Sequence, residues 1–205
     1  MPVEKLTRER RRQQTRDVLI AAATEVFARR GFEGSSLEEI AETAGFTRGA
    51  IYKNFDGKED LFLAVTDRFN EQVIAAFRSV APDSASAGEW DISRLAELWR
   101  ASVGEFEELF AIGKEYELYV LRNPDARPTA IAHRRKQRDL VASFIDEVAE
   151  RTDMTLRLPA ATLASVILAA ADGLTYAARI DGEDLFAAFL EVLNAGMIAD
   201  GTPAG

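Results

Sequence analysis

Residues 31–65 read GFEGSSLEEIAETAGFTRGAIYKNFDGKEDLFLAV, a stretch in which helix start and stop signals alternate at short intervals. Ser36-Leu37-Glu38-Glu39 is a start signal: the serine hydroxyl can accept from an amide three residues on, and Glu39 can reach back to the serine amide. Leu37, Ile40, Ala41 and Ala44 then form one buried stripe, and this helix lasts about two turns before Gly45. Thr47 caps a third short helix holding Arg48, Gly49, Ala50, Ile51, Tyr52 and Lys53, which Asn54, Phe55, Asp56 and Gly57 end. Two short helices parted by a tight glycine-containing turn, after a longer helix, are the makings of a helix-turn-helix unit.

Working outward, the preceding helix is expected from about Gln14 to Arg30, with Leu19, Ala22, Ala23, Val26 and Phe27 on one face and Gly31 as its stop. Downstream, a helix starting near Lys58 carries Phe62, Val65, Phe69, Val73, Phe77 and Val80 at spacings of three and four. A loop, APDSASAGEWD, leads to Ile92, Leu95, Trp99, Val103, Phe106 and Phe110 at the same period. A shorter piece with Tyr116, Tyr119 and Val120 must stop before Pro124, and the next helix, with Pro128 in its first turn, carries Ile131, Leu140, Val141, Phe144, Ile145 and Val148. Pro159 opens a helix closed by Asp181-Gly182, the last helix runs from Asp184 to Met197, and the tail DGTPAG is expected to be disordered. The fold class is therefore all-α, with about nine helices and no strand.

Composition narrows the function classes. At 205 residues, 47% hydrophobic and 29% charged, the chain is globular. No run of about 18 apolar residues is free of charge, and the N-terminus lacks the apolar core of a signal peptide, so the expectation is a cytoplasmic protein with no membrane partner. There is no cysteine and a single histidine, His133, set among charged neighbours. Thiolate chemistry is excluded, and neither a metal nor another cofactor is expected. No nucleophile is accompanied by a histidine base and no glycine-rich phosphate loop occurs, so the sequence does not read as an enzyme. A net charge of −9 argues at first against nucleic acid, but its distribution answers this. Residues 1–60 hold 11 basic and 11 acidic residues, whereas residues 61–205 hold 14 and 23. Within the first part Lys5, Arg8, Arg10, Arg11, Arg12 and Arg16 face only Glu4 and Glu9, which reads either as a solubilising segment or as an arm that tracks DNA. The expected organisation is an N-terminal arm and helix-turn-helix domain over 1–60, a helical domain over 61–200 and a tail over 201–205.

The stretch 31–65 resembles the DNA-binding segment of the TetR family of bacterial transcriptional regulators. Gly31-Phe32, Ser35-Ser36, Ala44-Gly45, Tyr52 with Phe55, and Lys58-Glu59-Asp60-Leu61 match, in order, that family's helix-1 end, helix-2 opening, turn, helix-3 aromatics and helix-4 start. The resemblance covers roughly residues 14–65, with a looser likeness in length and helix count beyond. It implies a transcriptional regulator, a repressor released from a palindromic operator by a small-molecule ligand. Thr47, Arg48 and Gly49 would lie nearest the bases, since a helix presented by its N-terminal end fits the major groove. Arg48 can grip guanine or phosphate. Tyr52 and Lys53 match family positions on the sugar-phosphate strand, and Ser36 and Lys58 would hold further phosphates, although Ser36 also reads as a plain cap, Tyr52 as a buried residue and the lysines as solvated charges. Asn54 stands where the family commonly has histidine or tyrosine.

For the second domain the resemblance implies a homodimer and an effector. The last two helices carry Leu163, Val166, Ile167, Ala170, Leu174, Phe186, Phe189, Leu190, Leu193 and Met197 over much of their circumference, read either as a dimer face or as ordinary core. Trp99, Phe106, Phe110, Tyr116, Tyr119, Phe144 and Tyr176 form an aromatic set that would line a ligand pocket or plain core, and Asp172 is a polar residue for the ligand or an interface charge. Arg134, Arg135, Lys136 and Arg138 suggest salt bridges with the acidic remainder. An interaction protein using the same fold for protein contacts is the rival reading, motivated by the net acidity.

Overall fold

The computed structural model of the chain describes residues 8–81, 91–105 and 107–197. Among them are nine α-helices and no β-strand. They are α1 Arg8–Gly34, α2 Leu37–Thr43, α3 Arg48–Tyr52, α4 Lys58–Ser79, α5 Ile92–Glu105, α6 Glu107–Arg122, α7 Arg127–Thr152, α8 Ala160–Tyr176 and α9 Phe186–Met197. A single 3-10 turn, Pro124–Ala126, precedes α7, and a π-helical turn, Ala177–Asp181, continues α8. The loop over 82–90 and the tail from 198 lie outside the described residues.

The chain divides into two compact units, Met1–Phe69 with Glu108–Arg127, and Asn70–Glu107 with Pro128–Gly205. The first is wider than the expected 1–60, because α6 belongs to it. Its core is built by Leu19, Val26, Phe27 and Phe32 of α1, Ile40 of α2, Ile51 of α3, Phe55, and Leu61 and Phe62 of α4, all nearly inaccessible. Burying each such aromatic or aliphatic side chain contributes about 1.5–3 kcal/mol. Phe32 lies with its ring centroid 5.2 Å from Phe62, 5.3 Å from Tyr116 and 5.2 Å from Tyr119, so two rings from α6 complete a cluster begun 80-odd residues earlier.

α1 begins at Arg8 rather than near Gln14. Arg, Glu and Gln are good helix formers and nothing between Arg8 and Gln14 breaks the helix, while Gln13 donates to Asp17 at 3.0 Å one turn on. The expected basic arm is therefore helical from Arg8 onward. Regular α1 ends before Gly31, whose φ of 73° and ψ of 175° lie in a region open essentially to glycine alone.

In the second unit, Ala142, Ile145, Ala160, Leu163 and Ala164 pack α7 on α8. Ile74, Phe144 and Val148 join α4 to α7, and Leu95, Ala96 and Phe186 join α5 to α9, with Trp99 and Phe77 against them. The Trp99 and Phe186 rings stack at 4.5 Å and 4°. Arg100–Asp184 at 2.8 Å and Arg78–Glu147 at 2.9 Å are exposed ion pairs, each contributing about 1 kcal/mol or less.

Candidate DNA interface

The geometry of residues 36–55 follows from local chemistry. Ser36 is the extended N-cap of α2, and its hydroxyl accepts from the Glu39 amide at 3.1 Å. The reciprocal half of the expected box is replaced: the Glu39 carboxylate lies 3.4 Å from Arg30 and 3.6 Å from Arg29, because two guanidiniums on α1 outcompete one amide for it. α2 ends in a left-handed Gly45, φ 70°, with the Phe46 amide donating to Ala41 at 2.8 Å and the Gly45 amide to Glu42 at 3.0 Å. That pair of bonds is the Schellman closure. It turns the chain into α3, which starts after Thr47.

Thr47 sits at the N-cap of α3 and accepts the Ala50 amide through its backbone carbonyl at 2.8 Å, while its side chain makes no capping bond. The hydroxyl, expected to be a cap, is exposed and does not cap the helix. Ile51 faces the core, and Thr47, Arg48, Gly49, Tyr52 and Lys53 are exposed on the other side. A Cβ added at Gly49 would meet nothing closer than the Thr47 hydroxyl at 3.7 Å, so nothing inside the protein requires glycine there.

Arg48 is held by neighbours. It is ion-paired with Glu38 of α2 and donates through Nη2 to the Tyr52 hydroxyl at 2.9 Å, with its guanidinium 5.4 Å from the Tyr52 ring centre. The Tyr52 hydrogen bond first, and then the Glu38 charge, push its pKa above the ordinary arginine value.

Two basic residues have structural employment that sequence spacing did not reveal. Lys58, expected on phosphate, instead directs its ammonium at three carbonyls, of Phe32 at 2.8 Å, Ser35 at 3.2 Å and Glu33 at 3.3 Å. An ammonium has three donors, so the phosphate role is withdrawn: Lys58 closes the α1–α2 loop. Arg16 donates to the Asn54 carbonyl at 2.6 Å and lies 4.1 Å over the Phe55 ring, fixing the end of α3 to α1. Arg8, Arg10, Arg11 and Arg12 are exposed at the start of α1.

Two residues of α6 brace this unit: Glu115, which sequence reasoning missed, and Tyr116, which it placed in the aromatic set. Glu115 accepts the Phe32 amide at 2.8 Å beside Gly31, and the Tyr116 hydroxyl donates to Glu59 at 2.6 Å. Burial first, and then the Glu59 bond, push the Tyr116 phenol up from its ordinary value. Tyr116 and Tyr119 thus sit in the first unit, as does Phe110, with Lys114 5.3 Å over its ring. Trp99 and Phe144 are in the second unit's core, whereas Tyr176 and Asp172 are exposed on α8. The aromatic set expected to line one pocket is therefore divided, and Phe106 lies outside the described residues. Of the expected dimer face, Leu163 and Phe186 are buried within their own protomer, and Val166 is 48% exposed. Ile167, Ala170, Leu174, Phe189, Leu190 and Leu193 are half-buried, and the side chain of Met197 lies outside the described residues.

A three-helix unit that exposes the amino end of a short helix beside a glycine turn defines a helix-turn-helix DNA-binding protein. Residues 19–65 match the family model described as bacterial regulatory proteins, tetR family. The chain is 32% identical over 167 residues to the HTH-type transcriptional repressor BepR of Brucella suis, covering 78% of each protein. A likeness to the HTH-type transcriptional regulator TtgR of Pseudomonas putida, 46% over 59 residues, covers only 29% of this chain and 28% of that one. Among solved structures, Salmonella enterica GusR superposes over 94% of this chain and 98% of its own with a TM-score of 0.63 at 21% identity, which shows a common fold. The chain belongs to the TetR family of DNA-binding transcriptional regulators, and its relatives are regulators, not enzymes.

Proposed function

We propose that the protein is a homodimeric cytoplasmic repressor that binds a pseudo-palindromic operator and is released by a small-molecule effector. The observation that carries the DNA reading is the exposed group Thr47, Arg48, Gly49, Tyr52 and Lys53 on a rigidly closed turn. Thr47 and Arg48 supply donors for base edges or phosphates, the bare Gly49 lets the backbone approach, and Tyr52, Lys53 and the Ser36 hydroxyl hold the flanking strand. BepR is named a repressor, which supports the same sign of regulation.

One such unit makes few phosphate contacts, so useful affinity calls for two copies at a spacing of about one turn of DNA or a multiple of it. The stretch Ala160–Asp181 is long and apolar enough, by length and composition alone, to cross a membrane. Its apolar residues are nevertheless largely uncovered: Val166 is 48%, Tyr176 53% and Ile180 64% exposed, as is 74% of Val192 on α9. A second copy packed through α8 and α9 covers this surface, with Ile167, Ala170, Leu174, Phe189, Leu190 and Leu193 contributing and Leu163 and Phe186 backing it from within. The effector site belongs, in this reading, to the second unit, whose cores hold Trp99 and Phe144. α4 runs unbroken from Lys58 to Ser79, giving the lever by which a ligand preferring one conformer by roughly 1–3 kcal/mol weakens DNA binding about 5- to 150-fold.

Mobility shifts on fragments of the genome that encodes the protein test this reading. A salt-dependent complex on a few promoter fragments supports it, equal retardation of all fragments would remove its sequence specificity, and retardation of none favours a protein-interaction role for the fold.

A further inference from the structure

Glu38 has no part in the function described so far, yet it stands on the reading face. It lies in the first turn of α2, exposed, with its carboxylate on the guanidinium of Arg48. An acid on a DNA-binding surface repels phosphate, so its presence there calls for a reason. Helix-terminal electrostatics offers one, since carboxylates are favourable in a first turn. Glu39, beside it, has the same advantage and pairs with Arg29 and Arg30 instead.

The arrangement of Glu38, Arg48 and Tyr52 is closed. Nη1 of Arg48 goes to Glu38, Nη2 goes to the Tyr52 hydroxyl at 2.9 Å, and the guanidinium lies 5.4 Å from the Tyr52 ring centre. Each terminal nitrogen of a guanidinium carries a second N–H, so the group can keep both partners and still donate to a further acceptor. The O6 and N7 atoms of guanine are the acceptors that arginine reads in the major groove. The same carboxylate offsets the positive charge that would otherwise draw the side chain to the nearest phosphate.

We propose that Glu38 is a specificity-determining residue: it fixes and offsets Arg48, so that the arginine reads a base edge instead of gripping the backbone. The inference rests on the DNA-binding reading above and deepens it. Removing the carboxylate frees Arg48 for phosphate. Non-specific binding then tightens, the salt dependence steepens by about one phosphate contact, and operator selectivity falls.

The test is a double-mutant cycle. Duplexes are selected by the wild-type protein from a randomised pool, and each is paired with a shuffled duplex of equal composition. Fluorescence anisotropy at several salt concentrations then gives both affinities for wild type, Glu38→Gln, Arg48→Ala and the double variant, with Glu39→Gln as a charge-matched control and circular dichroism as the check on folding. The expected result is that Glu38→Gln lowers the ratio of selected to shuffled affinity, within the roughly 5- to 150-fold range that one bidentate base contact supplies. It also steepens the log–log salt slope on shuffled DNA by about 0.9. In the Arg48→Ala background Glu38→Gln leaves the ratio unchanged. An unchanged ratio in Glu38→Gln, an equal loss in both backgrounds, or the same loss in Glu39→Gln overturns the proposal. Should Glu38→Gln not fold, Glu38→Asp, whose shorter carboxylate cannot span to Arg48 in the same geometry but keeps the charge, is read against the affinity-ratio outcomes alone. A wild-type protein that enriches no sequence at all would instead refute the DNA-binding reading itself.

Discussion

Replacing Gly31 by alanine should destabilise the first unit by about 3 kcal/mol, for two separable reasons. The backbone at φ 73°, ψ 175° is one that a residue with a Cβ enters at a cost of roughly 1–3 kcal/mol. The new Cβ would also lie 2.5 Å and 2.7 Å from the two carboxylate oxygens of Glu115. Glu115 can swing away, but an acceptor withdrawn by about 1 Å from its 2.8 Å bond no longer serves the Phe32 amide. Phe32 is 2% exposed, so little water reaches that amide, and losing a charge-assisted bond of this kind costs about 1.5–3 kcal/mol, taken at its lower end because Glu115 itself is solvent-exposed. Urea denaturation followed by circular dichroism measures the total. In a Glu115→Ala background the bond is already gone and the clash relieved, so Gly31→Ala should there cost only its backbone part. Gly45→Ala is the comparison: with φ 70° and open space around the position, it should cost about 1–2 kcal/mol whatever stands at 115. A Gly31→Ala cost within about 0.5 kcal/mol of zero, or an equal cost with and without Glu115, would refute the reasoning.

Gly49→Ala should act with opposite signs on two measurements: a gain of about 0.5–1 kcal/mol in unfolding free energy from helix propensity, and a loss of about tenfold or more in operator affinity because the methyl stands toward the DNA. A variant that binds as well as wild type would place the DNA elsewhere. Tyr116→Phe should cost about 1.5–3 kcal/mol at neutral pH through the lost bond to Glu59. The folded protein retains a phenol proton that the unfolded chain releases above about 10, so the wild type's advantage is full below that pH and shrinks above it, by up to about 1.4 kcal/mol per pH unit. Unfolding titrations at pH 8 and pH 11 check this, and an advantage that grows with pH would contradict it. Val166→Glu should leave protomer helicity intact, shift sedimentation equilibrium to the monomer and weaken operator binding; a variant that stays dimeric would move the interface away from α8.

The helix-turn-helix was legible because its signals are local. Ser36, Gly45 and Thr47 mark helix boundaries through the backbone conformations they favour, and Ile40 and Ile51 mark the inward faces by spacing. What spacing gives is a face, not a neighbour. Tyr116 and Tyr119 show the same helical period as Trp99, and only the folded chain reveals that their partners are Phe32 and Phe62 rather than the second unit's aromatics. Lys58 likewise looked like a phosphate ligand from its position at a helix start, since no pattern in the sequence announces three carbonyls converging on one ammonium. The run from Arg8 read as an arm from charge alone, yet its helix propensity continues α1 without interruption. Glu38 carries no such signal, since carboxylates are common in first turns; its pairing with Arg48 depends on how α2 and α3 cross.

Hydroxyl-radical footprinting on a duplex selected by the wild-type protein tests the central claim most directly. Two protected patches per strand, related by two-fold symmetry and separated by about one helical turn or a multiple of it, are expected, and Arg48→Ala should abolish them at the same protein concentration. A single patch, or uniform protection insensitive to Arg48, would contradict the account.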